Sequence, residues 1–265
     1  MADPQRGSDK IALGKARILV SNDDGITAPG LELLEKIARD LAPDVWVVAP
    51  EQEQSGASHS LTTRRPLRLR EIAPRRYAVD GTPTDCVMLA TRYLLKDRAP
   101  DLVLSGINAG GNVGEDLTYS GTVAAAMEAT LLDIPAIALS QHYRDGEAIP
   151  WPTAAQFAPE VIRRLCDLPW PEHTLINVNF PAVMPQEVRG IVPTSQGKRA
   201  IADNLTKRLD PRGRPYYWIG PVREDGIAEP GTDLAAVADR RVSVTPIHLD
   251  LTNIPVLAAL EKVFG

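Results

Sequence analysis

Short β-rich runs alternate along the chain with segments whose apolar residues return at helical spacing. Arg17–Ser21 (RILVS), Asp44–Ala49 (DVWVVA), Asp101–Ser105 (DLVLS), Ala136–Ser140 and Thr174–Asn179 read as strands. Between them, Pro29–Leu41 places Leu31, Leu34, Ile37, Ala38 and Leu41 on one helical face, with Pro29 in the first turn. Pro83–Leu95, the Ala-rich Thr122–Leu132 and Ala154–Leu165 read as further helices, and Leu67–Arg70 with Tyr77–Val79 as a short hairpin at a sheet edge. Strands that alternate with helices predict an α/β fold, a mostly parallel sheet flanked by helices.

Beyond Pro181 the pattern changes. Charged and turn residues fill Gly197 to Arg214, Tyr216-Tyr217-Trp218 forms a compact aromatic run, and Glu224–Arg241 reads as loop. Val242–Pro246 and a helix near Ile254–Phe264 close the chain. The division this predicts is a flexible lead over 1–16, a core over 17–181, and a β-rich extension over 182–265 that serves as an oligomerisation arm.

A chain of 265 residues can bury a full core. Its net charge of −5 argues against a dedicated nucleic-acid binder, which needs a basic face. Cys86 and Cys166 stand far apart in apolar helical settings, the pattern of two buried thiols rather than a disulfide framework or thiolate metal site. The polar lead lacks the apolar core of a signal peptide, and no window approaches the roughly 20 apolar residues of a membrane span. A cytoplasmic location is expected.

The chemistry gathers where strands end. The first strand runs into Asn22-Asp23-Asp24-Gly25, and adjacent carboxylates beside a buried strand are costly without a cation or hydrogen bonds. An Asx turn with Gly25 at positive φ and a metal site both account for this motif. The second strand leads into a polar loop carrying Ser55 and His59, and the third major strand into a Gly-rich loop carrying Asn108 and Asn112. In a parallel sheet these loops share one edge, where ligands bind. Asp23, Asp24, Ser55 and Asn108 would then form an all-oxygen shell suited to Mg²⁺ or Mn²⁺. Ser120-Gly121-Thr122 opens the Ala-rich helix, whose start either cradles phosphate or is simply capped by Ser120.

These residues bring the chain close to a known family. Ile18–Leu31 (ILVSNDDGITAPGL), Val47–Thr62 (VVAPEQEQSGASHSLT), Val79–Val87 (VDGTPTDCV) and Asp101–Ala129 resemble, in order, blocks of the SurE survival-protein family of metal-dependent nucleotidases, and Ser243–Thr252 resembles its closing strand. The resemblance implies a Rossmann-like core and a C-terminal region that builds a dimer, sometimes a tetramer. It implies one divalent ion per subunit on Asp23, Asp24, Ser55 and Asn108, and phosphate contacts on Ser120, Gly121 and Thr122. The implied substrates are nucleoside 5′- and 3′-monophosphates, with short polyphosphate in some members. Members often carry a basic residue where this chain has Ala109, and the lead before the first strand is longer than usual.

The expected mechanism lowers the pKa of a metal-bound water, with Asp23 or Asp24 taking its proton. Asn22, Asn112 and His248, the last with Asp250, are expected to support this shell, while His59 reads as a solvated loop residue and His142 and His173 as surface. Two rivals stand beside this reading: a noncatalytic nucleotide-binding regulator, and an RNA binder using Lys198, Arg199, Lys207, Arg208, Arg212 and Arg214 with the aromatic run.

Overall fold

The computed structural model describes residues 10–199, 205–219 and 228–265. Its main sheet has nine strands: β1 (Arg17–Ser21), β2 (Asp44–Pro50), β3 (Leu69–Ala73), β4 (Arg76–Val79), β5 (Leu102–Ala109), β6 (Ala136–Gln141), β7 (Thr174–Phe180), β8 (Ile191–Pro193) and β11 (Val242–His248). Their spatial order is β3-β4-β2-β1-β5-β6-β7-β11-β8. Every neighbouring pair is parallel except β3–β4 and β7–β11. The predicted α/β architecture is therefore present, with the predicted hairpin on one edge.

Both faces of the sheet are covered, which explains why its strands read as nearly continuous apolar runs. Ile18, Val20, Leu102, Leu104, Ile137 and Leu139 face a cluster built with α1 (Pro29–Leu41) and α4 (Trp151–Cys166). Leu19, Val48, Val103 and Ala138 point the other way, toward α2 (Pro83–Leu89) and α3 (Gly121–Leu131). Each fully buried leucine here contributes roughly 1.5–3 kcal/mol of transfer free energy. Ala124, Ala125, Ala126 and Ala129 keep α3 slim enough to be buried along most of its length.

Several boundaries differ from those predicted, each for a local reason. β5 continues past Ser105 to Ala109, because its register against β6 slips between Ser105 and Asn108 and the strand resumes beyond the irregularity. Helix α2 stops at Leu89 and passes into a π-helical turn over Ala90–Leu94. Within the stretch expected to be loop, α5 (Asp233–Ala238) forms behind Thr232, whose side chain caps it by accepting from the Ala235 amide. Six residues are too few to show helical periodicity. The lead expected to be flexible is anchored from Ile11, whose amide donates to the Cys166 carbonyl, while Ile11 and Leu13 pack on the core. Residues 1–9 of that lead lie outside the described residues, as do 200–204 and 220–227 of the stretch after Pro181.

After Pro181 the chain divides. Strands β8 and β11 complete the main sheet, whereas β9 (Leu205–Leu209) and β10 (Pro215–Ile219) pair only with each other, and α6 (Ile254–Phe264) buries none of its residues. Cys86 and Cys166 are both buried and unpaired. Among the described residues no helix is long and apolar enough to cross a membrane.

Candidate active site at the carboxyl edge of the sheet

The parallel strands β1, β2, β5 and β6 deliver their following loops to one edge. There the loops interlock through backbone contacts. The Asp23 carbonyl accepts from the Gln54 amide at 2.8 Å, which ties the β1 loop to the residue before Ser55. The Ile26 amide donates to the Pro50 carbonyl at 2.8 Å. Asp24 Oδ2 accepts from the Ala109 amide at 3.0 Å, joining the β1 loop to the residue after Asn108. Gly25, at φ +100°, turns so close to the β2 loop that an added Cβ would stand 3.3 Å from the Gln52 carbonyl carbon.

The start of α3 closes on the same carboxylates. Thr122 donates its hydroxyl to Asp23 Oδ1, and its amide also stabilises that carboxylate. A methyl on Gly121 would lie 2.7 Å from Asp23 Cβ, so only glycine permits this approach. Ser120 caps the helix, its Oγ accepting from the Val123 amide at 3.1 Å.

Electrostatically this edge is loaded with negative charge. Asp23 is 4% exposed, and burial pushes its carboxyl up from the ordinary value against the pull of the Thr122 hydrogen bonds. Asp24 is pushed up to about 6, first by burial and then by the neighbouring Asp23 charge, with Glu53 adding to it. Neither aspartate has an ion-pair partner among the described residues. Two adjoining carboxylates held this way are costly unless a cation meets them.

The model of the family described as "Survival protein SurE" matches residues 18–203. The chain belongs to the SurE family. It is 58% identical over 248 residues to the protein named 5′-nucleotidase SurE of Paramagnetospirillum magneticum, covering 94% of this chain and 95% of that one. The protein of the same name from Rhodospirillum rubrum is 52% identical over 255 residues, covering 95% and 97%. The crystal structure of the SurE protein from Aquifex aeolicus superposes with a TM-score of 0.82 at 44% identity, covering 93% of this chain and 99% of that one.

Within this SurE fold the donor set suits a hard cation. Asn108 gives its amide nitrogen to the Gly110 carbonyl at 2.9 Å, which leaves Oδ1 as an acceptor. The exposed Ser55 donates its proton to Glu53 Oε1 at 2.7 Å and keeps its lone pairs. With Asp23 and Asp24 these residues offer two carboxylates, one hydroxyl and one amide oxygen, all hard oxygen donors. Among the described residues no group of three His, Cys, Asp or Glu is placed to hold an ion, in keeping with a set that contains two acids only.

The supporting residues fall into place unevenly. Asn22 donates from Nδ2 to the Gly25 carbonyl at 2.9 Å and fixes the turn, while its buried Oδ1 has no hydrogen-bond partner among the described residues. Asn112 is a structural pin: its Nδ2 donates to Ser140 Oγ, and its carbonyl accepts from Asn177 and Asn179. The Thr122 hydroxyl, read from sequence as a phosphate donor, is engaged with Asp23 instead, and Ser120 with its own helix.

The histidines correct the sequence reading more sharply. His248 pairs in register with Thr174, at the amino end of β7, because β11 runs antiparallel; it therefore sits at the opposite edge of the sheet from Asp23, against His173. His59 is exposed, as expected, but its Nε2 also lies 2.9 Å from Oε2 of Glu128, a buried acid on α3. This pair escapes sequence reading because its members stand 69 positions apart. His142 stands in the loop just after β6, as expected, but half-buried rather than fully at the surface. Its ring packs against Gly111, and the low-dielectric surroundings push its pKa down to about 4, with the Arg199 charge adding to this.

Proposed function

We propose that this chain hydrolyses nucleoside 5′-monophosphates, and 3′-monophosphates and short polyphosphate besides, at the Asp23–Asp24 edge with one divalent cation, Mg²⁺ or Mn²⁺, per subunit. The observation that carries the reading is the pair of adjoining carboxylates, Asp23 buried and Asp24 half-buried at the meeting of three loops, with no ion-pair partner among the described residues. The names of the relatives supply the substrate class.

In this reading Asp23, Asp24, Ser55 and Asn108 hold the cation. When bound, the cation supplies Lewis acidity that activates water and neutralises phosphoryl charge. Thr122 and the α3 start keep Asp23 fixed and favour its ionised form against the burial that raises its pKa, which is the protein's own contribution to pre-organisation. Asp24 is the better proton acceptor of the two, being more open to solvent and held by a single backbone amide. Gly121 presents the remaining amide of the helix start toward an anion, since the Ser120 amide already donates to the Asp116 carbonyl.

The chain past Pro181 that stays outside the main sheet serves self-association in this proposal. Ile254, Val263 and Phe264 are 61%, 73% and 82% exposed, and a helix with so much apolar surface needs a cover, for which a second copy is the simplest source. The domain division at 1–16, 17–181 and 182–265, and residence in the cytoplasm with two reduced thiols, belong to the same proposal.

The test is phosphate release from a panel of nucleotides, with added Mn²⁺ or Mg²⁺ and again with a chelator. Release that requires the added ion is expected. Nucleotide binding without release in any metal would favour the noncatalytic regulator instead.

A further inference from the structure

Two cavities adjoin the candidate site and share His142, Arg144 and Arg199. One, of about 560 Å³, is lined by Asn108 and the Gly110–Gly111 turn. The other, of about 440 Å³, continues past Val113 to Leu234 and Val237, on the side of α5. Together they form a trough that begins at a proposed cation ligand and ends on an apolar wall. Each volume lies within the roughly 300–1,000 Å³ of small-molecule sites.

The chemistry of the trough suits a flat ring that carries an anionic group beside it. Arg199 is held by Asp116 at 2.6 Å, and its amide donates to Glu115, so its guanidinium is fixed. Arg240 and Arg144 also face carboxylates, Glu187 at 3.3 Å and Glu147 at 3.8 Å. Lys198 also lines the second cavity and has no ion-pair partner among the described residues, so one cation is left to meet an anionic group, while a fixed guanidinium in a cavity also lined by Leu234 and Val237 favours a stacked aromatic ring. His142 adds polarity of one sign. Asn179 Oδ1 already accepts from the Asn112 amide, so the His142 Nε2 that lies 3.2 Å from it must carry the proton. Its Nδ1 is therefore an acceptor, without a hydrogen-bond partner among the described residues.

We propose that this trough is the nucleoside subsite: the base lies between Arg199 and the Leu234–Val237 wall, and His142 Nδ1 accepts a hydrogen bond from the ribose or base. The inference rests on the nucleotidase reading above and specifies which residues carry preference for a nucleoside over a bare phosphomonoester.

The experiment compares kcat/KM for adenosine monophosphate and for glycerol phosphate in the parent and in Val237→Trp, which fills the trough. The ratio of nucleotide to glycerol phosphate should fall at least roughly ten-fold in the variant. Free adenosine should inhibit the parent competitively and the variant much less. A parent that releases phosphate from neither substrate sinks the nucleotidase reading and this inference with it. A parent active on both, with the ratio unchanged in Val237→Trp, overturns the subsite alone. Should that variant not fold, Ala238→Trp replaces it, since Ala238 is exposed and lines the same apolar end of the trough. There a several-fold rise in nucleotide KM is expected, and an unchanged ratio overturns the subsite. A larger loss on a substrate with two phosphates than on the monophosphate would overturn it in favour of a phosphate site.

Discussion

The carboxyl edge of β1 and the arm formed by β9, β10 and α6 are both incomplete as single-chain structures, in opposite senses. At the edge, charge is buried: Asp23 is 4% exposed, beside Asp24, with no ion-pair partner among the described residues. In the arm, apolar surface is exposed: α6 buries nothing, and Leu205, Leu209, Tyr217 and Trp218 on the hairpin are each more than half exposed. In the proposed function an ion meets the first imbalance and a second copy of the chain the second. Both regions are locally well made, which is what makes the imbalances informative. The edge is interlocked by backbone hydrogen bonds, and α6 is capped by Asn253 accepting from the Val256 amide at 3.1 Å.

The sharpest way to break this comparison is Asp23→Asn. Phosphate release should fall by roughly 10²–10³-fold or more, while the melting temperature without added cation should hold or rise, because a buried charge is removed. A variant that stays active, or that is strongly destabilised in the presence of a chelator, would mean that Asp23 is structural.

A smaller effect is expected at the other pole. Lysines introduced on α6, as Leu257→Lys with Val263→Lys, should weaken self-association by at least about ten-fold, read by sedimentation velocity, since each would bury a charge in an apolar contact. The same species at all concentrations in parent and variant would show that α6 is covered by something else.

Gly121→Ala tests how tightly the helix start is seated. The methyl would meet Asp23 Cβ at 2.7 Å, so a stability loss of about 1–3 kcal/mol by denaturant titration is expected, together with weaker cation binding by calorimetry. The smallest effect is a pH dependence. Asp24 has its pKa raised from 3.8 to about 6 in the folded chain, so its ionisation lowers stability as pH rises through that interval, and the loss is complete above it. A cation relieves this loss. Added Mn²⁺ should therefore raise the melting temperature by a few degrees at about pH 7.5 and by less at about pH 5, as scanning calorimetry would show.

How much of this was legible beforehand depended on the range of the interaction. β1, α1 and α6 keep their predicted ends because apolar periodicity, Pro29 and the strand composition act locally. The acids at Asp23 and Asp24 were readable because adjacency in sequence is itself the unusual feature. The engagement of Thr122 with Asp23 was not, since the two stand 99 positions apart and each has a bland local explanation. His248 was misplaced for a topological reason: proximity to a strand end says nothing until the direction of that strand is known. Here β11 is antiparallel to β7, and the end carrying His248 belongs to the far edge.

That same strand has a consequence for synthesis on the ribosome. β8 joins the main sheet only through β11, which lies between it and β7. All strands of the Asp23 edge have emerged once β6 has, but Ile191–Pro193 must wait for Val242–His248, close to the end of translation. A nascent chain halted before Val242 would carry the whole acidic edge yet leave β7 with one unpaired flank, a sticky intermediate for chaperones to guard.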